Sequence, residues 1–240
     1  MPDQPKIFLT AEWRKLAIAN YSIDPKHLIK YLPHKTELDL WNDKCYVSLI
    51  GFMFLNTKVK GIRIPFHINF EEINLRFYVR HKSGNEWRRG VVFIKEIVSK
   101  PFLALVANLV YGENYKAVPT NHSWLEEKNL LTVEYTWKEK AWNSFLITAD
   151  NRQEEIEKGS EEEFITQHFW GYTKINESKT SEYEVEHPEW KMYNVKNYRI
   201  SVDFSSVYGD EFGFLTGQKP DSVFLAEGSQ IIVRNGNKIK

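Results

Sequence analysis

The chain has 240 residues, and its 32 Lys plus Arg balance its 32 Asp plus Glu. Without a net charge or a basic run there is no electrostatic surface for nucleic acid, so we predict no nucleic-acid partner. Hydrophobic residues make up 42% and aromatic residues 15% of the chain, which argues against disorder and provides for a packed core. We predict one domain over residues 1–240.

The cysteine content and the apolar stretches bear on the compartment. Cys45 is the single cysteine, so no intramolecular disulfide forms, as is typical of a reducing compartment. Residues 1–10 lack the pattern of a secretory signal, and the longest apolar stretch, 101–111, is too short to span a bilayer. We therefore expect a cytoplasmic protein without a membrane partner. The oligomeric state is not readable from the residues.

The first elements are of mixed type. Residues 14–23 fit neither the helical nor the strand period, and both interpretations stay open. Asp24 and Pro25 are typical of a helix start, and the apolar residues at 28, 29 and 32 predict a helix of about two turns. Strand-like runs follow at 37–41, 44–56, 62–67, 70–80 and 88–98. Asn42-Asp43 predicts a hairpin between the first two runs.

The second half continues in the same way. Residues 102–110 have the strongest helical period in the chain, and Gly112 ends it. Residues 130–137 and 141–148 predict a hairpin, and Ser160 with Glu163 predicts a capped short helix. Further strands are predicted at 183–186, 198–204, 222–225 and 230–234. The pattern indicates an α+β, β-rich fold: a largely antiparallel sheet closed into a barrel with a few short outer helices.

Common catalytic and cofactor motifs are missing from the sequence. There is no nucleophile elbow, zinc-binding helix, phosphate loop or dinucleotide fingerprint. No two of the seven histidines have the spacing of a zinc helix, so we predict no metal and no cofactor. The eight tryptophans could line a ligand pocket or simply fill the core, and both interpretations stay open.

Residues 67–80, HINFEEINLRFYVR, stand apart. In a strand, alternation puts Ile73, Leu75, Phe77 and Val79 on one apolar face. The opposite face then carries a carboxylate, an amide, two guanidiniums and a phenol, from Glu72, Asn74, Arg76, Tyr78 and Arg80. Such a row suits either solvent, with cross-strand ion pairs, or a polar cavity inside a barrel.

This segment also carries a family resemblance. NFEEINLRFYVR, RRGVVFIKEIV and ANLVYGENY, together with WRKLAIANYSIDPKHLIKYLP, GSEEEFITQHFWGYT, VEHPEWKMYNV and DSVFLAEGSQIIV, resemble the YqjF-like family of conserved proteins of unknown function. The resemblance covers nearly the whole chain. That family is similar in fold to acetoacetate decarboxylase, which implies a closed antiparallel barrel with an internal cavity.

The resemblance also implies two candidate catalytic residues. Glu72 corresponds to the cavity glutamate of the decarboxylase and Lys116 lies near its Schiff-base lysine. The sequence departs from the decarboxylase pattern at Ala117, where a second lysine would lower the pKa of the first. Tyr115 and Lys116 alternate in an extended segment, so only one of them can point inward. We expect Tyr115 to do so, and include it among the binding residues.

Three functions are compatible with these features. The first is binding of a small anionic or carbonyl-bearing molecule by Asn74, Arg76, Tyr78, Arg80 and Tyr115. The second is a Schiff-base lyase or decarboxylase-like enzyme that uses Lys116 and Glu72. The third is a structural or interaction module whose barrel is filled. An internal cavity lined by the Glu72 face would separate the first two from the third.

Overall fold

The computed structural model describes residues 5–101 and 114–240. In these two ranges the chain forms fourteen strands and two short α-helices. The strands are β1 (Ile7–Ser22), β2 (Thr36–Leu38), β3 (Tyr46–Val59), β4 (Phe70–Ser83), β5 (Glu86–Val98), β6 (Tyr115–Ala117), β7 (Thr120–Glu127), β8 (Leu130–Lys138), β9 (Trp142–Glu155), β10 (Trp170–Asn176), β11 (Lys179–Glu186), β12 (Lys191–Ser201), β13 (Ser222–Arg234) and β14 (Asn237–Ile239). The helices are α1 (Glu161–Thr166) and α2 (Phe204–Tyr208).

Seven strands form a ring-like sheet. Their order is β13-β1-β3-β4-β5-β10-β11, and the ring closes where β11 pairs with β13 at Val185↔Val233 and Glu186↔Ile232. All neighbours are antiparallel except β5 and β10. Gly90 permits this parallel pairing, because a Cβ there would lie 2.3 Å from the carbonyl oxygen of Trp170.

A second layer covers the outside of the ring. Strands β12, β9, β8 and β7 continue in that order from β13. Side chains on the outer face of the ring strands form one buried cluster with those of β8, β9 and α2. A separate buried cluster fills much of the ring interior, together with α1. The ring strands are therefore covered on both faces.

Strand β4 shows the predicted alternation. Ile73, Leu75, Phe77 and Val79 are fully buried in the outer cluster. The alternate residues face the ring interior, and Glu72, Asn74, Arg76 and Tyr78 are all at most 8% exposed. Nothing in an isolated strand distinguishes solvent from a cavity, and it is the closure of the ring that buries the polar face.

Several predicted elements differ from those observed. Of residues 14–23, which fitted neither period, all but the last belong to the long strand β1. The helix predicted after Asp24 is instead two 3₁₀ turns, Pro25–His27 and Ile29–Tyr31. Asp24 still caps the first turn by accepting from the amide of Lys26 at 3.0 Å. The helix predicted at 102–110 lies outside the described residues.

Two strand predictions were wrong. Residues 62–67 form no strand, because positive φ angles at Lys60, Gly61 and Phe66 break the extended backbone around them. The predicted hairpin at 37–56 is reduced to one bridge, Trp41↔Lys44, across the Asn42-Asp43 turn. Strand β2 pairs with β4 instead of β3. The turn residues were identified correctly but the pairing partner was not.

The short helix predicted from Ser160 and Glu163 is confirmed. Helix α1 begins after Ser160, whose Oγ accepts from the backbone amide of Glu163 at 3.2 Å. The Glu163 carboxylate accepts from the amide of Gly159 at 2.6 Å, so both residues of the predicted cap satisfy backbone donors. The predicted hairpin between β8 and β9 is also confirmed. None of the helices in the described ranges is both long and apolar enough to cross a membrane.

Candidate functional site

A cavity of about 170 Å³ lies inside the ring. Aromatic side chains make up much of its wall: Trp13, Phe54, Phe70, Phe93, Trp170 and Trp190. Polar groups converge on it from several parts of the chain, among them Glu72 and Arg76 on β4, Glu96 on β5, Tyr115 on β6, Thr166 and His168 at the end of α1, and His187 after β11. An apolar pocket with a few convergent polar groups is typical of a small-molecule site.

A β-bulge in β5 adjusts the wall of the cavity. Asn74 pairs with Glu96, but after Leu75↔Lys95 the register shifts, and Arg76 pairs with Phe93. The extra residue, Ile94, is buried in the outer cluster. Glu96 and Phe93 both line the cavity as a result, although three positions separate them and regular alternation would put them on opposite faces.

Arg76 is the charged group that stands out. It is 8% exposed, and its guanidinium carbon lies 5.6 Å from the centre of the Tyr78 ring. Its Nη2 donates to the carbonyl oxygen of Ile165 at 3.3 Å, while its Nε has no hydrogen-bond partner within residues 5–101 and 114–240. In that part of the chain no carboxylate forms an ion pair with it. A guanidinium offers five N–H donors, so most of its donor capacity is not used by the described residues.

Glu72 is held by two neighbours. Its Oε1 accepts from Asn74 Nδ2 at 3.0 Å, and its Oε2 accepts from the Tyr115 hydroxyl at 3.1 Å. Tyr115 reaches the cavity because β6 pairs with β5 in parallel, with Tyr115 opposite Glu96. These two donors fix the carboxylate at one end of the cavity and offset part of its charge.

Lys116 points away from the cavity. Its side chain is half exposed, and its Nζ lies 2.7 Å from Glu139 Oε2. The alternation of β6 turns Tyr115 inward and Lys116 outward, which is the register that the sequence favoured. The structure therefore does not bring Lys116 to Glu72, and the pair proposed for amine catalysis is not assembled.

His168 is a buried, neutral histidine. Its Nε2 lies 3.1 Å from Asp39 Oδ2, which also accepts from Arg89 Nε at 2.6 Å. Burial alone would raise the pKa of Asp39, but the hydrogen bonds from His168 and Arg89 outweigh it and hold that pKa below its ordinary value. Burial lowers the pKa of His168 to about 4, against the opposing effect of Asp39. Because a carboxylate only accepts, the proton of neutral His168 sits on Nε2.

His187 is the second neutral histidine of the wall. Its ring stacks on Trp190 with centroids 4.3 Å apart and an interplanar angle of 21°. Its Nδ1 lies 2.9 Å from the carbonyl oxygen of Pro188, so Nδ1 carries the proton and Nε2 carries a lone pair. Burial lowers the pKa of His187 to about 4, and the charge of Arg76 contributes in the same direction.

Tyr78 is bound into the protein itself. Its hydroxyl lies 2.7 Å from Ser48 Oγ, which in turn donates to Asn20 Oδ1 at 2.6 Å. Since the single hydroxyl proton of Ser48 goes to Asn20, Tyr78 is the donor to Ser48. The Tyr78 ring, in contrast, packs against two residues of the cavity wall. Its centre lies 4.8 Å from the ring of His168, and the guanidinium of Arg76 lies over it.

The sequence-predicted binding residues are thus distributed over three environments. Arg76 and Tyr115 line the cavity, as does Glu72. Asn74 and Tyr78 are buried behind the wall. Arg80 does not line the cavity, contrary to the prediction. It lies near the end of β4, where its side chain is half exposed and its Nη2 is 2.6 Å from the carboxylate of Glu37 on β2. The alternation of β4 continues to Arg80, but the ring no longer encloses it there.

The histidines of the wall were not identified from the sequence. The tryptophans were predicted either to line a pocket or to fill the core, and three of them line the cavity. His168 lies in GSEEEFITQHFWGYT and His187 in VEHPEWKMYNV, two of the segments that carry the family resemblance. That was the available signal, since the spacing of the histidines along the chain indicates no shared site. Among the described residues no group of three His, Cys, Asp or Glu could hold a metal ion.

Comparison with known proteins gives a family and a fold. The DUF2071 family, described as uncharacterized conserved proteins, matches residues 10–230. The uncharacterized protein YqjF of Bacillus subtilis (strain 168) is 25% identical over 196 residues, covering 80% of this chain and 77% of YqjF.

Two solved structures illustrate the fold. Acetoacetate decarboxylase from Legionella pneumophila is 11% identical, with a TM-score of 0.66 over 100% of this chain and 92% of the decarboxylase. The enduracididine biosynthesis enzyme MppR complexed with pyruvate is likewise 11% identical, with a TM-score of 0.66 and coverage of 100% and 92%. The chain therefore has an acetoacetate-decarboxylase-like fold.

Proposed function

This chain belongs to the DUF2071 family of uncharacterized conserved proteins, and we propose that it binds a small carboxylate in the cavity inside its ring of strands. Arg76 pairs with the carboxylate group, and the aromatic wall contacts the apolar body of the ligand. The alternative from the sequence, amine catalysis, has no support from the half-exposed position of Lys116. A filled structural module is not favoured either, because the ring interior retains a cavity of about 170 Å³.

The observation that carries this proposal is the buried charge of Arg76. A buried guanidinium without an anionic partner is costly, because its loss of hydration is not compensated by an ion pair. Within residues 5–101 and 114–240 Arg76 has one long hydrogen bond, to the Ile165 carbonyl, and no ion pair. A ligand carboxylate would supply the missing acceptors, since carboxylate and guanidinium match in a bidentate geometry.

Size and wall chemistry limit the ligand. A cavity of about 150 Å³ accepts a molecule the size of benzene, so about 170 Å³ suits a small organic acid. Phe54, Phe70 and Trp190 offer flat apolar surfaces rather than donors to a second charged group, since the indole N–H of Trp190 donates to Ser229 Oγ. MppR, which shares the fold, has been obtained in complex with pyruvate, and this makes pyruvate a suitable first probe.

The test is a pair of titrations by isothermal calorimetry. Pyruvate and propanoate are titrated into the protein, with propanamide as the uncharged isostere of propanoate. We expect both acids to bind and propanamide to bind at least tenfold more weakly, which corresponds to about 1.4 kcal/mol. Arg76→Met should weaken the binding of both acids by a similar factor or more.

Arg80→Met is the matched control, because Arg80 is on the same strand but pairs with Glu37 outside the cavity. It should leave the affinity unchanged. Equal affinities for propanoate and propanamide, or unchanged binding by Arg76→Met, would contradict the proposal.

A further inference from the structure

The cavity presents a hydrogen-bond acceptor beside its cation. The Nδ1 proton of His187 is directed to the Pro188 carbonyl at 2.9 Å, which leaves the lone pair on Nε2. His187 lines the cavity and is only partly buried. Within the described part of the chain Nε2 has no hydrogen-bond partner.

The ring of His187 is held in position by its neighbours. It stacks on Trp190 at 4.3 Å, and the ring of Phe169 lies 4.9 Å away. Burial and the charge of Arg76 both disfavour a second proton on the ring, whose pKa is lowered to about 4. At neutral pH the ring therefore stays neutral, and Nε2 can accept a hydrogen bond but cannot donate one.

We propose that His187 makes the cavity selective for carboxylates that carry a hydroxyl group, through a hydrogen bond from that hydroxyl to Nε2. This inference rests on the proposed function, because it assumes that Arg76 holds the carboxylate. A keto oxygen at the same position only accepts, and it would face the lone pair of Nε2 without a shared proton. A hydroxyl group supplies that proton.

An ammonium group is the other donor that a small acid could offer. The positive charge of Arg76 acts on His187 and would repel a second cation bound there. The carboxylate of Glu72 accepts one neutral donor on each oxygen, from Asn74 and Tyr115, which weakens its attraction for an ammonium group without removing it. A neutral hydroxyl therefore fits the wall better than an ammonium group does.

The experiment compares matched acids by calorimetry. Lactate is compared with pyruvate, and 3-hydroxybutyrate with acetoacetate, so that each pair differs only in hydroxyl against keto oxygen. Alanine reports on the ammonium group. We expect the hydroxy acid to bind about fivefold more tightly than its keto partner in at least one pair, as one additional hydrogen bond implies.

Two variants assign the effect to His187. His187→Phe keeps a ring to stack on Trp190 but has no acceptor, and it should abolish the preference while both acids still bind. His187→Gln retains a carbonyl acceptor and should keep part of the preference. Circular dichroism and thermal melting establish that each variant is folded, and a misfolded His187→Phe leaves the decision to the Gln variant and the wild-type ratios.

The outcomes separate the two proposals. Equal or tighter binding of the keto acid in both pairs, tighter binding of alanine than of lactate, or a preference that survives in His187→Phe would overturn the role of His187 alone. If no acid binds to the wild-type protein, the proposed function fails and this inference fails with it.

Discussion

The two faces of strand β4 are both buried, but they carry side chains of different polarity. The outer face contributes Ile73, Leu75, Phe77 and Val79, all with no exposed surface, to the cluster shared with the second layer. The inner face carries Glu72, Asn74 and Arg76, and beside them the ring retains a cavity. Strand alternation thus lets one strand contribute to a packed core with one set of residues and to a polar wall with the alternate set. Stability should depend mainly on the outer face and ligand binding on the inner face.

The largest expected effect is a difference in stability between two truncations in β4, one on each face. Phe77→Ala removes a fully buried ring from the outer cluster, and we expect it to lower the free energy of unfolding by about 3–5 kcal/mol. Phe70→Ala also removes a phenylalanine ring, but from the cavity wall, where part of the ring faces the cavity. Its cost should be smaller by at least about 1 kcal/mol.

Urea denaturation followed by tryptophan fluorescence measures both values. If Phe70→Ala proves as costly as Phe77→Ala, the interior face would be packed as tightly as the outer one. The distinction between the two faces would then be lost.

The second effect is the dependence of stability on pH through His168. Its pKa in the folded protein is about 4, below its ordinary value of 6.5, so the unfolded chain binds the proton more readily. The contribution of His168 to stability is therefore complete above pH 6.5 and is lost as the pH falls toward 4. Between pH 7 and pH 5, His168 should account for a loss of roughly 2 kcal/mol.

His168→Gln isolates this contribution. Glutamine can still donate to Asp39 beside Arg89, but it does not titrate, so the variant should lose less stability than the wild type between pH 7 and 5. His81→Gln, which removes a partly buried histidine that contacts the Lys35 carbonyl, is the control for the same substitution elsewhere in the protein. Parallel profiles for the wild type and His168→Gln would contradict the assignment.

A smaller effect concerns Arg76 in the absence of ligand. Because its charge is buried without an ion-pair partner in the described part of the chain, Arg76→Met should raise the free energy of unfolding by about 1 kcal/mol or more. Arg80→Met breaks the half-exposed pair with Glu37 and the contact of the guanidinium with the Trp87 ring 4.4 Å away, and it should change the free energy of unfolding by less than about 1 kcal/mol. Thermal and urea unfolding of both variants make the comparison. A marked destabilisation by Arg76→Met would indicate that the chain itself compensates the charge.

The parts of this molecule that the sequence predicts are those governed by local chemistry. Alternation in β4 predicted which residues share a face, and alternation at Tyr115 and Lys116 predicted that Tyr115 points inward. Arg80 was misjudged because alternation says which face a residue is on but not where the ring ends. His168 and His187 were missed because they meet Arg76 only when β10 and β11 close the ring, which joins segments about a hundred residues apart in the chain.

Strand pairing shows the same limit. The Asn42-Asp43 turn was correctly identified, yet β2 pairs with β4, since the choice of partner depends on distant strands. The cavity itself is a property of the closed ring and has no signature in any one segment.

The most direct test of the central claim is a crystal structure of the protein grown with lactate or pyruvate. Both carboxylate oxygens of the ligand should lie about 2.7–2.9 Å from the guanidinium nitrogens of Arg76, inside the cavity lined by Trp13 and Trp190. A ligand bound elsewhere, or an empty cavity with Arg76 paired to Glu72 or Glu96, would contradict the account.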